Sequence, residues 1–257
     1  MAQKKRLDDL LILQGLATDR RQAGAFIVGG KVLVNDVPAD KPGMAYDEKC
    51  LIKFKAGKKY VGRGGKKLAA GLEAFQINPS EMICADIGCS TGGFTDCLLQ
   101  QGAKLVYSVD VGYGVLDWKL RQDNRVIVLE RTNARYLTRK LIPLPLDLAV
   151  MDASFISLSK LLQPLLLLFG ETIRILALIK PQFELPRQKV AQGGVIRDSS
   201  LHKEAISKIR GHAEEIGLHS KGLIESPILG AKGNKEFLIL LQGSLTEVTE
   251  KLPTTFL

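Results

Sequence analysis

The residues from Met82 to Asp110 constrain this chain more than any others. They begin M-I-C-A-D-I-G-C-S-T-G-G-F-T-D and end K-L-V-Y-S-V-D. Met82–Ala85 reads as a buried strand closing on Asp86. A glycine-rich turn follows (Gly88, Ser90, Gly92, Gly93), and a helix opens at about Phe94. A second apolar strand ends at Asp110. Strand, glycine turn, helix and acid-tipped strand make the first unit of a doubly wound nucleotide-binding sheet. Glycine lets the backbone approach a ligand closely, and the carboxylate of Asp110 suits a ribose diol.

The turn also bears on which nucleotide. A dinucleotide fingerprint would read G-x-G-x-x-G, whereas the spacing here is Gly88-x-Ser90-x-Gly92-Gly93, with Asp86 closing the strand. A carboxylate there repels phosphate but attracts an ammonium or sulfonium. That favours S-adenosylmethionine over NAD, ATP or GTP, and no G-x-x-x-x-G-K-[ST] is present.

At 257 residues the chain has room for one large domain and one small one. Its formal net charge of +9 is unevenly placed. Residues 1–67 hold 15 Lys/Arg against 7 Asp/Glu, and the rest hold 21 against 20. A basic N-terminal module that meets a polyanion is the reading. The four cysteines form no C-x-x-C pair and the three histidines lie far from them, so neither a metal site nor a disulfide framework is expected. The N-terminus lacks the apolar core of a signal peptide, and no apolar run could span a bilayer. A cytoplasmic protein with free thiols is expected.

Residues 6–16 place Leu7, Leu10 and Leu11 at helical spacing, with Asp8 and Asp9 in the first turn. Thr18 suits the N-cap of a second helix carrying Ala23, Phe26 and Ile27, which Gly29-Gly30 ends. Residues 31–35 and 51–54 read as strands. This unit resembles the alpha-L motif, a small α+β RNA-binding domain first described in a ribosomal small-subunit protein. The resemblance implies RNA contacts at Arg20, Arg21 and Lys31, with Lys4, Lys5 and Arg6 flanking and Arg63 beyond. The expected boundaries are 1–57 for this domain, 58–65 for a Gly/Lys-rich flexible linker, and 66–257 for the second domain.

A helix from about Lys66 to Phe75 opens that second domain. Further strands are expected at 125–129, 147–151, 173–179 and 236–241, with helices at 158–169 and 199–216. The alternation predicts an α/β fold, a mostly parallel sheet with helices on both faces. Ligands bind such sheets at the strands' carboxyl ends, where Asp86, Asp110, Asp152 and Lys180 all fall.

The chemistry follows from those ends. A base-amine acceptor usually needs a clamp such as N-P-P-Y after the fourth strand, where this chain has D-A-S-F. Pyrimidine carbon methylation would need a cysteine nucleophile, and none lies at the fourth or fifth strand's end. A ribose hydroxyl is barely acidic and needs a general base. A lysine beside a second ammonium gives up its proton more readily. Lys180 as base, Lys67 positioning the hydroxyl, and Asp152 and Glu236 orienting the two ammonium groups would meet that need.

The motifs G-R-G-G-K-K-L, D-I-G-C-S-T-G-G-F-T-D, S-V-D-V-G-Y-G, R-T-N-A-R, D-A-S-F-I-S-L, I-K-P-Q-F-E and K-G-N-K-E-F resemble the TlyA family along nearly the whole chain. Those proteins are often labelled hemolysins and are related to FtsJ-type ribose methyltransferases. The resemblance implies a seven-stranded Rossmann-like sheet and S-adenosylmethionine-dependent 2′-O-methylation of cytidine in small-subunit or large-subunit ribosomal RNA, or both. It places the catalytic set at Lys67, Asp152, Lys180 and Glu236, with Lys67 chosen over Lys66 because it directly precedes the leucine. Cofactor contacts fall to Asp86, Gly88, Ser90, Thr91, Gly92, Gly93, Phe94, Asp110 and Asp152. Asn133 is placed near the adenine, with Thr132 and Arg131 as alternatives. Expected partners are ribosomal RNA and ribosomal subunits, with neither membrane nor DNA, and a monomer acting on them. Two other readings are a cytolysin, for which no amphipathic or apolar spanning device is present, and an RNA-binding assembly factor with a vestigial enzyme domain.

Overall fold

The computed structural model describes residues 4–55 and 59–251 and divides into two compact units, 1–59 and 60–257. In the first, β1 (Lys4–Arg6) pairs antiparallel with β4 (Ala45–Asp47). Helices α1 (Leu7–Leu13) and α2 (Arg20–Val28) pack beside a small antiparallel sheet of order β3 (Val37–Pro38), β2 (Val32–Val34), β5 (Ile52–Phe54). Leu7, Leu10, Leu11, Ala23 and Ile27 are fully buried, so the apolar stripe of each helix supplies the core. The cap of α2 is Asp19, one residue beyond the expected Thr18. Asp19 Oδ1 accepts from the Gln22 amide at 2.7 Å, while Thr18 donates its amide back to the Gln22 side chain at 2.7 Å.

The second unit is a three-layer α/β sandwich. Helix α3 (Gly64–Ala74) leads into β6 (Ile83–Ile87), α4 (Gly93–Gln100), β7 (Leu105–Val109), α5 (Trp118–Arg121) and β8 (Val126–Leu129). Then come β9 (Leu148–Met151), α6 (Ser159–Leu166), β10 (Thr172–Ile179), α7 (Pro181–Glu184), α8 (Ser199–Glu215), β11 (His219–Glu225), β12 (Phe237–Ser244) and α9 (Leu245–Lys251). The strand order is β11-β12-β10-β9-β6-β7-β8, with only β12 reversed against its neighbours. Alternation decides which core each residue joins. Ile175, Ala177 and Ile179 of β10 face one hydrophobic layer, and Leu176 and Leu178 face the other. The chain order reverses between β6 and β9, which opens a crevice at their carboxyl ends.

Three expectations shift. The first strand runs one residue past Asp86, to Ile87, so Asp86 lies within β6 and not at its tip. Residues 60–65, read as linker, are built into the second unit: Tyr60 is buried, the Val61 amide donates to Asp96 at 2.8 Å, and Gly64 and Gly65 form the first turn of α3. A side chain at Gly65 would overlap the Tyr60 ring, so a glycine composition that suggests flexibility here serves packing. Lys58 lies outside the described residues. The strand at 219–225 was not expected at all.

Candidate active site

The loop after β6 places three residues with positive φ in five positions: Gly88 (+83°), Ser90 (+49°) and Gly92 (+94°). Ser90 therefore takes the left-handed conformation that a glycine would adopt more cheaply. Its amide donates to Asp110 Oδ2 at 2.8 Å, which stitches the turn to the end of β7. The Gly112 amide donates to the other Asp110 oxygen at 2.7 Å. At Gly88 a Cβ would press on Ala153 Cα and the Asp152 carbonyl at 3.1 Å, so this turn lies directly against the end of β9.

Asp86 is fully buried beneath the turn. Its Oδ2 accepts from the Thr95 amide at 2.9 Å and the Thr95 hydroxyl at 2.7 Å, and that hydroxyl contacts Ser108 Oγ at 2.8 Å. Oδ1 has no hydrogen-bond partner. Burial is the main cause that pushes the carboxyl up to about 7, against the opposing Thr95 hydrogen bonds.

Lys67 from α3, Asp152 after β9, Lys180 after β10 and Glu236 before β12 converge on one cavity of about 450 Å³. Lys67 Nζ lies 2.6 Å from Glu236 Oε2 and 3.8 Å from Asp152 Oδ2. Lys180 Nζ lies 2.6 Å from Asp152 Oδ1 and donates to Ser154 Oγ at 2.8 Å. The result is a chain of alternating charge, Glu236–Lys67–Asp152–Lys180, with each partner compensating the desolvation of the next. Gly230 backs it closely: a methyl added there would collide with the Glu236 carboxylate. Because a side-chain end and not backbone must yield, Gly230→Ala is expected to fold. Its kcat should fall on the order of 10²-fold through displacement of the Glu236–Lys67 pair, with cofactor affinity retained. Turnover measured beside cofactor titration checks this.

The same cavity is lined by Asp86, Gly88, Ser90, Thr91, Gly93, Phe94 and Arg63. A second cavity of about 390 Å³ adjoins it, lined by Asp110, Thr132 and Asn133 and by apolar Ile87, Val109, Ala134 and Leu161. Gly88, Ser90 and Asp152 line both. Gly92 lines neither. A side chain there would overlap Leu116 and Leu120, so its freedom serves the turn and the packing of α5. Arg131 also stays outside both cavities and stacks on Tyr113 at 4.2 Å.

In the first unit the expected RNA contacts divide. Lys5 pairs with Glu48 at 2.8 Å and Arg20 with Asp9 at 2.8 Å. Arg6 grips the buried Asp8 with two hydrogen bonds of 3.0 and 2.6 Å and holds that carboxyl below the usual range. Lys31 lies over the Phe26 ring at 5.8 Å. Lys4 and Arg21 are exposed and form no ion pair among the described residues.

An FtsJ-like methyltransferase model matches residues 60–243, and an S4 domain model matches residues 5–49. The chain belongs to the FtsJ-like methyltransferase family. The Bacillus subtilis protein YqxC is 44% identical over 245 residues, covering 93% of this chain and 86% of that one. A Mycobacterium tuberculosis protein named 16S/23S rRNA (cytidine-2′-O)-methyltransferase TlyA is 43% identical, covering 94% and 91%. A solved structure of a hemolysin-named protein from Streptococcus thermophilus superposes with a TM-score of 0.72 at 39% identity, covering 98% of each chain.

For a member of the FtsJ-like family, the two joined cavities fit S-adenosylmethionine on their own chemistry. The orphaned Asp86 Oδ1 calls for a cation such as the ammonium of a methionine moiety. The apolar slot beside Asp110 and Asn133 suits a nucleoside. Ser154 and Gln182 also line the first cavity, two residues beyond Asp152 and Lys180 within D-A-S-F and I-K-P-Q-F-E, and nothing in the sequence marks either as a site residue.

Proposed function

We propose that the chain is an S-adenosylmethionine-dependent 2′-O-ribose methyltransferase of ribosomal RNA, acting on cytidine as the name of its mycobacterial relative indicates. The observation that carries this reading is the Glu236–Lys67–Asp152–Lys180 chain, with Glu236 and both lysines buried, which faces the same cavity as the Asp86 turn. S-adenosylmethionine supplies a methyl group on a sulfonium centre. Asp86 holds the ammonium end, Asp110 the ribose diol and Asn133 the adenine edge. Lys67, anchored by Glu236, donates a hydrogen bond that orients the target hydroxyl. With S-adenosylmethionine bound as methyl donor, Lys180, held by Asp152 and Ser154 and first relieved of its own ammonium proton to solvent, would accept the target hydroxyl's proton, so that no free alkoxide would have to exist.

Residues 1–57 are assigned to gripping RNA, chiefly through Lys4, Arg20, Arg21 and Lys31, and residues 66–257 to methyl transfer. The chain is taken to work as a monomer on ribosomal subunits in the cytoplasm. Among the described residues no helix is long and apolar enough to cross a membrane. A groove of about 630 Å³ beside the catalytic cavity carries Arg135, Lys160 and Lys208, which suit RNA phosphates.

The test is methyl transfer from labelled S-adenosylmethionine to purified small and large ribosomal subunits, followed by mapping of alkali-resistant linkages. Label on a ribose is the expected result and names the subunit. Label on a base would overturn the lysine-base mechanism, and absence of label with cofactor bound would favour the assembly-factor reading.

A further inference from the structure

Gln182 is unexplained by the chemistry above. It is the second residue of α7, two beyond Lys180, and its side-chain oxygen is buried without a hydrogen-bond donor. Such an acceptor is costly to leave unmatched in an occupied site. Its position says what could match it. Gln182 lines the catalytic cavity and also the neighbouring groove with Arg135, Lys160 and Lys208, but not the apolar slot beside Asp110. Three residues line both the catalytic cavity and the groove: Phe155, Gln182 and Phe183. The two rings lie 5.1 Å apart, with Phe155 largely exposed, and Gln182 is the polar member of the three.

A path for a nucleotide from the groove to Lys180 crosses this junction, which brings its base within reach of it. The base therefore meets the unpaired Gln182 acceptor beside the exposed Phe155 ring, a face on which it can stack. Cytosine offers an exocyclic amino donor, and uracil carries a carbonyl oxygen at the same position. We propose that Gln182 selects the target base, its side-chain oxygen accepting a hydrogen bond from the amino group of cytosine. This rests on the ribose-methylation reading and assigns a residue to its specificity. Sites built to hydrogen-bond a polar group discriminate strongly because rejection leaves a buried group unpaired.

The experiment uses the full chain, labelled S-adenosylmethionine and ribosomal RNA carrying either cytidine or uridine at the mapped position. The wild type is expected to prefer cytidine by about 10²-fold or more in kcat/KM. Gln182→Met, close in shape and without a strong acceptor, should reduce that preference to within about tenfold, mainly by slowing cytidine. Gln182→Glu, an acceptor of the same reach, should retain it. Gln182→Ala repeats the test if the methionine variant fails to bind S-adenosylmethionine normally. Unchanged preference in Gln182→Met or Gln182→Ala, with ribose label still deposited by the wild type, would overturn this inference alone. Wild-type label on a base, or none on RNA, would overturn the reaction and the inference with it.

Discussion

Replacing Lys180 with arginine is expected to stop methyl transfer while the protein still folds, binds S-adenosylmethionine and holds RNA. Lys180 is 7% exposed, lies 2.6 Å from Asp152 and donates to Ser154 at 2.8 Å. Arginine keeps a positive charge opposite Asp152 but does not give up its proton in a protein, so it preserves the ion pair and cannot act as a base. The expected loss is roughly 10²–10⁴-fold in single-turnover rate, the usual contribution of a positioned general base. Lys180→Ala is a harsher change, because it leaves Asp152 with only the more distant Lys67 at 3.8 Å. Activity of Lys180→Arg within tenfold of the wild type would make this lysine a charge strut and send the proton elsewhere. Full loss of turnover with unchanged RNA affinity would also separate an enzyme from an assembly factor, whose function would survive the substitution.

Continuous apolar runs made most of the sheet legible in the sequence. Stretches such as R-I-L-A-L-I and F-L-I-L-L are apolar on both faces, which only a central strand between two helical layers requires. The edge strand at 219–225 lacked that signature because its residues are half-buried or exposed, as an edge position permits. The strand ends were legible because Asp86, Asp110, Asp152 and Lys180 interrupt or end apolar runs, and charge next to a core needs a reason. That two acids orient the two lysines is expected from the sequence, but which acid meets which lysine is not. Nothing in the order of residues shows that Glu236 reaches Lys67 across 169 positions, or that Arg6 spends its charge on the buried Asp8. Ser154 and Gln182 are ordinary polar residues in isolation, and only the convergence of the β9 and β10 ends places them in the cavity.

Asp86→Asn is expected to remove a pH dependence that the wild type shows in both stability and cofactor binding. Burial raises this carboxyl to about 7 in the folded, cofactor-free chain, with Asp152 and Asp110 adding to the rise and Thr95 opposing it. An unfolded aspartate titrates near 3.9. Between about pH 4 and 7 the folded chain thus retains a proton that the unfolded chain has lost. Stability should fall as pH rises through that window, by at most about 1.4 kcal/mol per unit from this group, and level off above it. Cofactor binding should respond in the opposite sense. A cation at the unpaired Oδ1 favours the ionised carboxylate, so binding below pH 7 must expel the proton. S-adenosylmethionine affinity should then weaken as pH falls below about 7, by up to tenfold per unit, with proton release visible as a buffer-dependent binding enthalpy. The asparagine variant should bind more weakly at pH 8, by on the order of tenfold or more, since a charged partner becomes a neutral one. Its affinity should also change far less with pH than that of the wild type. Calorimetry from pH 6 to 8.5 in two buffers of different ionisation enthalpy distinguishes the cases. A wild-type affinity that is flat across that range, with no proton released, would mean that Asp86 is already ionised before the cofactor arrives, and that the turn above it recognises S-adenosylmethionine by shape alone.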